Sequence, residues 1–410
     1  MIDSHTSQIR IAVLGAGIAG LGAAHLLASA YDVEVFERDT RAGGHANTVV
    51  RDGLALDTGF LVHNVPNYPL LRRLFDELGV RTHESDMSFA VSCAGCGLEW
   101  SGRRPFARRR NAASPSFLAL LREVARWLRS AEASLDSLDE RASLNQYLDA
   151  RGYSLRFRRH FLVPLTAALW STAPGRALEY PAAAAIRFFS NHGMLGFGRF
   201  RWRTVTGGSR TYVDAIARRL GPRLHLGLGV RELRRDADGV ELRTQDGELR
   251  RFDRVVVAAH ADQALALLGD PSPAERAALA GFEYTSNDAV LHTATSLLPR
   301  TPSARSAWNY LLDDEGRPTV TYWLNRLQGL EADRDYCVTL NAPVPEEHVL
   351  ARFRYSHPLY SAATPPAQAA LRALSGKRRT HYAGAHLGNG FHEAGLESAV
   401  AVASSLGVDW

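Results

Sequence analysis

The run Ile11-Ala12-Val13-Leu14-Gly15-Ala16-Gly17-Ile18-Ala19-Gly20, followed by Val33-Glu34-Val35-Phe36-Glu37, decides the fold. It reads as strand, glycine-rich turn, helix and strand, the pattern of a dinucleotide-binding βαβ unit. Gly15 stands where the chain must turn tightly, Gly17 where backbone approaches a pyrophosphate, and Gly20 where the helix must sit close to the sheet. A helix starting near Gly17, through Ile18 and Ala19, presents free N–H groups and its positive end to phosphates. Glu37, with Arg38 beside it, ends the second strand, where its carboxylate accepts hydrogen bonds from a ribose 2′,3′-diol and disfavours a 2′-phosphate. The segment predicts a cofactor enzyme.

Composition narrows the class. A chain of 410 residues divides by ordinary domain size into two or three units. Its 46% hydrophobic and 22% charged residues describe a packed globular protein, not a disordered one. No stretch approaches the roughly 18 consecutive apolar residues of a membrane span, and Asp3 with immediate entry into the first strand argues against an export signal. A cytoplasmic location is therefore expected, with transient contact at a membrane surface as a further expectation. The net charge of +5 rests on arginine, since Lys377 is the sole lysine among 48 basic residues. Such a bias reflects coding composition better than a nucleic-acid footprint, and no nucleic-acid partner is expected. The clusters Arg103-Arg104 with Arg108-Arg109-Arg110, and Arg156 with Arg158-Arg159, read as solvated faces or as attraction for an acidic substrate or anionic lipid. Three cysteines make no disulfide scaffold. Cys93-Ala94-Gly95-Cys96 lies between extended segments. A structural zinc site wants four ligands and a thioredoxin-like pair wants a helix at its second cysteine, so this reads as a reduced pair in or beside a hairpin, with no metal expected.

The nucleotide unit continues through Arg41-Ala42-Gly43-Gly44-His45, Leu56-Asp57-Thr58-Gly59-Phe60 and a helix over 68–78. From about residue 81 the pattern changes to strands at 87–92 and 98–100 and helices in 115–130, 143–150 and 153–168, a substrate-binding insertion without a nucleotide signature. Asp246-Gly247 between alternating runs marks a hairpin, so residues 240–252 read as a small antiparallel meander. Strands at 290–298, 320–324 and 336–340 supply a second sheet. The expected division is a cofactor domain of residues 1–80, 203–283 and 376–410, and a substrate domain of residues 81–202 and 284–375. There is no second GxGxxG. Instead the first is extended by Arg41-x-Gly43-Gly44 and matched by the glycine-rich segment 384–397, and two backbone-rich cradles suit the long body of FAD better than a nicotinamide cofactor.

Together these pieces resemble the FAD-dependent amine oxidase and phytoene desaturase superfamily. A closer resemblance, to bacterial NAD/FAD-binding oxidoreductases often encoded near cyclopropane-fatty-acid synthases, rests on residues 43–48, Asp57-Thr58-Gly59-Phe60, Phe161-Leu162-Val163-Pro164 with Trp170-Ser171, residues 188–193 and residues 390–396. The resemblance implies an α/β fold of the glutathione-reductase type, with a split Rossmann-like FAD-binding domain and an inserted α+β substrate domain. It implies that Gly15, Gly17 and Gly20 meet the pyrophosphate and that Glu37 meets the adenosine ribose. Arg41, Gly43 and Gly44 line the route to the isoalloxazine, and Val230 contacts the adenine. Thr58, Gly59, Phe60 and Ala258 join the cofactor contacts. Gly384 and the turn carrying Phe391, Ala394, Gly395 and Leu396 face the ribityl chain and flavin, where a helix beginning near Ala394 stabilises negative charge on the reduced ring. Many amine oxidases hold a lysine near flavin N5; here Lys377 sits before the last expected strand of the cofactor domain, and none comes from the substrate sheet.

Near the flavin the reading places His45, Phe60, His63, Asn191, His192, Phe391 and His392. Imidazole titrates nearest neutral pH, so His392, His45 or His192 is the candidate proton carrier. Glu393 reads as a helix-cap partner. Trp170, Phe188, Phe189, Trp202, Tyr310, Tyr322, Trp323 and Tyr360 divide between core and an apolar channel. The expected reaction is hydride removal from a carbon–carbon unit of a hydrophobic, lipid-like substrate, a desaturase or isomerase. The alternative is an amine or amino-acid oxidase passing electrons to molecular oxygen.

Overall fold

A computed structural model of the chain describes residues 8–170, 174–195, 200–315 and 318–410; Asp3 and Ser171 lie outside the described residues. Strands Arg10–Leu14, Asp32–Glu37, Leu224–Leu226, Arg254–Val257 and Thr380–Tyr382 form one parallel sheet. Its spatial order is 224–226, 32–37, 10–14, 254–257, 380–382. Both faces are covered, which is why these strands read as nearly unbroken hydrophobic runs. Ile11, Val13, Val33, Val35 and Val256 pack with helices Ile18–Leu27, Arg210–Leu220 and His392–Ser405 on one side. On the other, Ala12, Leu14, Phe36, Val255 and Val257 pack with the meander and with helices Ala261–Leu267 and Pro273–Ala280. The meander is the expected one, with Val240–Thr244 paired antiparallel to Leu249–Phe252 across the Asp246-Gly247 turn.

The second sheet has seven strands in the order 349–359, 283–292, 337–340, 318–323, 308–312, 89–93, 98–101. Its apolar face is covered by the helices of residues 115–191, with Trp127, Phe157, Phe189 and Tyr310 fully buried between the layers. Two expectations change here. The strand expected to reach Leu298 begins at Glu283 and ends at His292, because the chain turns back with Leu298 N–H donating to the Thr295 carbonyl (3.1 Å). The helix expected over 153–168 is broken by a π-helical turn, Arg158–Leu162. Strand Trp202–Val205 pairs with both His63–Asn64 and Thr82–Ser85 and so joins segments more than 100 residues apart in the chain. No helix among the described residues is long and apolar enough to cross a membrane.

A buried ion pair ties the meander to the parallel sheet. Arg235 donates to both oxygens of Glu275 (2.6 and 3.1 Å), with the two side chains 2% and 4% exposed. Tyr382 of the edge strand donates to the same carboxylate (2.9 Å). Burial on its own raises the Glu275 carboxyl; the hydrogen bonds from Arg235, Ser272 and Tyr382 outweigh it and hold the group at about 2. Removing Arg235 leaves Glu275 charged and buried, with the more exposed Arg378 the only cation among the described residues still reaching it (3.2 Å). Arg235→Met is expected to lower unfolding free energy by about 3–5 kcal/mol in urea titration. Because the folded value lies below the ordinary 4.5, this contribution is present above that pH and is lost as pH falls from 4.5 through about 2. Urea titrations across that range check the window.

Candidate functional site

A cavity of about 620 Å³ runs between the two sheets and is lined by residues of both. At one end lies the glycine turn. Gly15 N–H donates to the Phe36 carbonyl (2.8 Å), and its φ of +105° suits glycine. A Cβ on Gly20 would fall 1.9 Å from the Gly15 carbonyl oxygen, so the helix can lie on the turn only without one. Gly17 differs from both. Its backbone conformation is open to any residue (φ −78°, ψ −175°), and a Cβ there would meet nothing within 4 Å. No contact among the described residues requires a glycine there; the empty space fits a phosphate drawn close to the backbone. The helix has no side-chain cap, so its first N–H groups are left to a ligand. Glu37 accepts from Ala16 N–H (2.8 Å) and Asp39 N–H (2.9 Å), which fixes its carboxylate at the cavity wall beside Gly229, Val230 and Gln245.

The middle of the cavity is built from rings. His45 stacks on Tyr355 (centroids 5.1 Å apart) and meets His357 edge-on (5.0 Å). His260 stacks on Tyr284 (4.6 Å). Tyr355 is itself fixed: its hydroxyl accepts from Asn47 Nδ2 (2.9 Å) and shares a 2.7 Å hydrogen bond with Thr58. Two ring nitrogens, His45 Nε2 and His260 Nδ1, are buried with no hydrogen-bond partner among the described residues. A buried polar atom left so costs about 1–3 kcal/mol, and a polar ligand relieves it. The open glycine backbone, the fixed carboxylate and these two nitrogens fit a long dinucleotide. Beyond them the lining becomes apolar. Phe391 stacks on Phe188 (4.9 Å), which also carries Trp170 (4.9 Å) and His192 (3.7 Å), with Met87, Leu169, Trp308, Tyr322 and Leu340 around them.

A family model, Flavin containing amine oxidoreductase, matches residues 18–297. The chain belongs to that family. This flavin-dependent oxidoreductase is an enzyme, and its cofactor is FAD. It is 27% identical over 327 residues to the zeta-carotene-forming phytoene desaturase of Myxococcus xanthus, a match covering 71% of this chain and 61% of that protein. The chain thus spans less than two thirds of this curated relative. Among solved structures its fold is similar to a CLA-producing fatty acid isomerase from P. acnes (TM-score 0.70, 17% identity, 97% of this chain and 98% of that one). It is similar as well to cyclohexylamine oxidase from Brevibacterium oxydans IH-35A (TM-score 0.67, 18% identity, 98% and 100%).

Of the residues expected at the cofactor of this oxidoreductase, all but four line the cavity. Gly20 is filled in by the Gly15 carbonyl. Ala394, Gly395 and Leu396 pack inward because the terminal helix crosses the first one closely: a Cβ on Gly395 would lie 2.8 Å from Ile18 Cγ2, and one on Gly22 would lie 2.7 Å from Leu396 Cδ1. The helix starts at His392, two residues before Ala394, and Phe391, its N-cap, and His392 are the residues at the cavity. His63 and Asn191 stand outside the lining; His63 is buried among Phe60, Tyr68 and Phe75. Of the aromatic set, Trp170, Phe188, Trp202, Tyr322 and Tyr360 line the cavity, whereas Phe189 and Tyr310 are core and Trp323 donates to Asp335 (2.8 Å). Sequence reading missed Tyr355, His357, His260 and Tyr284. Only the alternation of Phe353, Tyr355 and His357 along one face of a strand signalled the first two.

The three candidate proton carriers share one property. Burial holds His392 at about 3 and His192 at about 4, and burial with the neighbouring His357 and His260 holds His45 well below the ordinary imidazole value. Two of them are engaged already: His392 Nε2 with the Tyr212 hydroxyl (3.1 Å), and His192 Nδ1 with the Phe188 carbonyl (2.9 Å). Glu393 caps a helix other than its own, accepting from Leu70 and Leu71 N–H (2.7 and 2.9 Å) at the start of Pro69–Leu78. Burial raises its carboxyl to about 7.

Two outcomes follow from this geometry. Gly17→Ala is expected to leave the melting temperature of the cofactor-free chain unchanged while weakening FAD at least about tenfold, roughly 1.4 kcal/mol, in flavin-fluorescence titration. For Glu393 the folded value lies above the ordinary 4.5, so its contribution to stability is full below that pH and declines as pH rises through about 7. Denaturation of Glu393→Gln and the parent protein from pH 4 to 8 is expected to show the parent's stability falling relative to the variant's as pH rises through about 7.

Proposed function

We propose that the chain oxidises an apolar, uncharged amine at the carbon next to nitrogen. The observation that carries this reading is the lining of the cavity. Its acids among the described residues are Glu37 and Asp39, both at the nucleotide end, and no carboxylate stands among Met87, Leu169, Trp170, Phe188, Tyr322 and Leu340. A substrate ammonium would be desolvated there without a partner, at a cost that selects the neutral amine. Bound FAD would supply a hydride acceptor, with molecular oxygen as the final electron acceptor, reduced to hydrogen peroxide. The residues of this chain bind, orient and dry the reacting carbon: Trp170, Phe188 and Phe391 exclude water, and Tyr355, locked by Asn47 and Thr58, fixes the wall on which His45 stacks. A neutral amine losing hydride needs no protein base. That suits a cavity whose His45, His192 and His392 are all kept poorly basic by burial.

In this reading the FAD-binding part comprises residues 1–80, 203–283 and 376–410 of a glutathione-reductase-type split domain, with residues 81–202 and 284–375 serving the substrate. His45 is the candidate site residue, as a hydrogen-bonding group and not as a base, through its unpartnered Nε2; His192 and His392 shape the walls. Carbon–carbon oxidation of a lipid-like substrate is the second reading. The apolar lining, the desaturase relative and the likeness to enzymes encoded near cyclopropane-fatty-acid synthases favour it, and so does any transient contact with a membrane. It requires a base for the neighbouring proton. The family and the amine oxidase among the similar folds support the amine bond better.

Anaerobic visible spectroscopy of the FAD-loaded enzyme, titrated with apolar monoamines, a diamine, and unsaturated and cyclopropane fatty acids, is the test. Bleaching by the monoamines, faster as pH rises toward the amine's own pKa, is expected. Bleaching by the fatty acids alone overturns the amine reading and establishes carbon–carbon chemistry. An inflection in kcat/KM between about pH 5 and 8 that disappears in His45→Asn would also overturn it, by showing a histidine titrating as a base.

A further inference from the structure

Away from the cavity, the Cys93-Ala94-Gly95-Cys96 turn joins strand Phe89–Cys93 to the edge strand Leu98–Ser101. The fold brings a third ligand to it. His160, buried on the π-helical turn Arg158–Leu162, points its Nε2 at Cys96 Sγ (3.5 Å), and the two sulfurs and this nitrogen all lie within 4.8 Å of one another. We propose that Cys93, Cys96 and His160 form a zinc site that pins the helical segment 155–170 to the edge of the seven-stranded sheet.

Three independent features carry this assignment. The first is spacing. Zinc bonds of about 2.3 Å to sulfur and 2.0–2.1 Å to nitrogen give a tetrahedral sulfur-to-nitrogen edge of about 3.6 Å, close to the 3.5 Å found. The second is the tautomer. His160 Nδ1 lies 3.2 Å from the Arg156 carbonyl. A carbonyl can only accept, so the proton sits on Nδ1, and Nε2 offers its lone pair toward the sulfurs, the outer-sphere arrangement usual for a metal-bound histidine. The third is the turn, which brings the two sulfurs within 4.8 Å of each other and of the histidine nitrogen. Two thiolates and one imidazole are the soft donor set zinc prefers, and they neutralise its charge. Among the described residues no fourth protein ligand joins them, which leaves one position for water. All three cysteines are free, so the pair is available, and Cys96 is exposed, which gives the ion a way in.

The ion would hold the sheet edge to the helix whose end, Ala168 to Trp170, lines the apolar part of the cavity. The site is independent of the reaction proposed above. The test uses the full-length, FAD-loaded protein, reduced with a phosphine, freed of metal by dialysis and titrated with zinc against a chromophoric chelator. Cobalt is substituted in parallel, and its ligand-field bands are read to the red of the flavin absorption. One equivalent of zinc, thiolate-type cobalt bands, and affinity at least about tenfold weaker in both Cys96→Ser and His160→Asn are expected. Cys96 is exposed, and retained flavin absorption reports that each variant is folded. Failure of the reduced parent protein to bind zinc overturns the proposal, as does zinc binding that neither substitution weakens.

Discussion

The structure depends on one close approach, that of the first helix to the turn that feeds it. A Cβ on Gly20 would overlap the Gly15 carbonyl, so the absence of two side chains lets the helix lie on the parallel sheet with its uncapped N-terminus aimed along the cavity. The terminal helix repeats the device from the other side, where Gly22 and Gly395 allow Ile18 and Leu396 to interleave. That crossing delivers Phe391 and His392 to the cavity while burying the three residues after Glu393. The two glycine-rich ends of the chain thus form one cradle because two pairs of small residues bring their helices into contact.

A second constraint aligns the sheets. Asp57, fully buried, accepts from the Thr48 hydroxyl (2.5 Å), from the N–H and hydroxyl of Ser209 (2.9 and 2.8 Å), and from Gln328 (3.1 Å). One carboxylate therefore links the hairpin Thr48–Asp57, the start of helix Arg210–Leu220 and the region after strand Pro318–Trp323. Burial raises it to about 6, partly offset by the hydrogen bonds from Thr48 and Ser209. The neighbouring Asn47–Thr58–Tyr355 triangle extends the same junction to the second sheet. Where these networks meet, the cavity changes from polar to apolar.

The parts legible in the sequence were those set by local physics. Gly15 and Gly20 announce themselves because a tight turn and a close helix approach each demand a residue type at a fixed spacing, and Asp246-Gly247 does the same for its hairpin. What could not be read came from contacts between distant segments. Tyr355 and His260 reach the cavity only through sheet register and the end of a strand. Glu393 is a cap, as its position hinted, yet of a helix more than 300 residues earlier in the chain. The histidine beside the Cys93–Cys96 pair could not be read, because His160 arrives through the packing of a helix on the sheet edge.

The same reasoning explains why the histidines, the most conspicuous candidates in the sequence, are poor proton carriers in the fold. A side chain near neutral pKa in water is useful as a base only if its charged form is solvated or partnered. Here the rings of His45, His192 and His392 are stacked on Tyr355, Phe188 and Phe60, and the apolar surface that makes the cavity fit a hydrophobic substrate also withdraws solvent from the imidazolium. Dryness and basicity compete for the same walls. A chain that builds a dry channel gives up base strength within it, and the chemistry best served is one in which the substrate arrives already deprotonated and only a hydride has to leave.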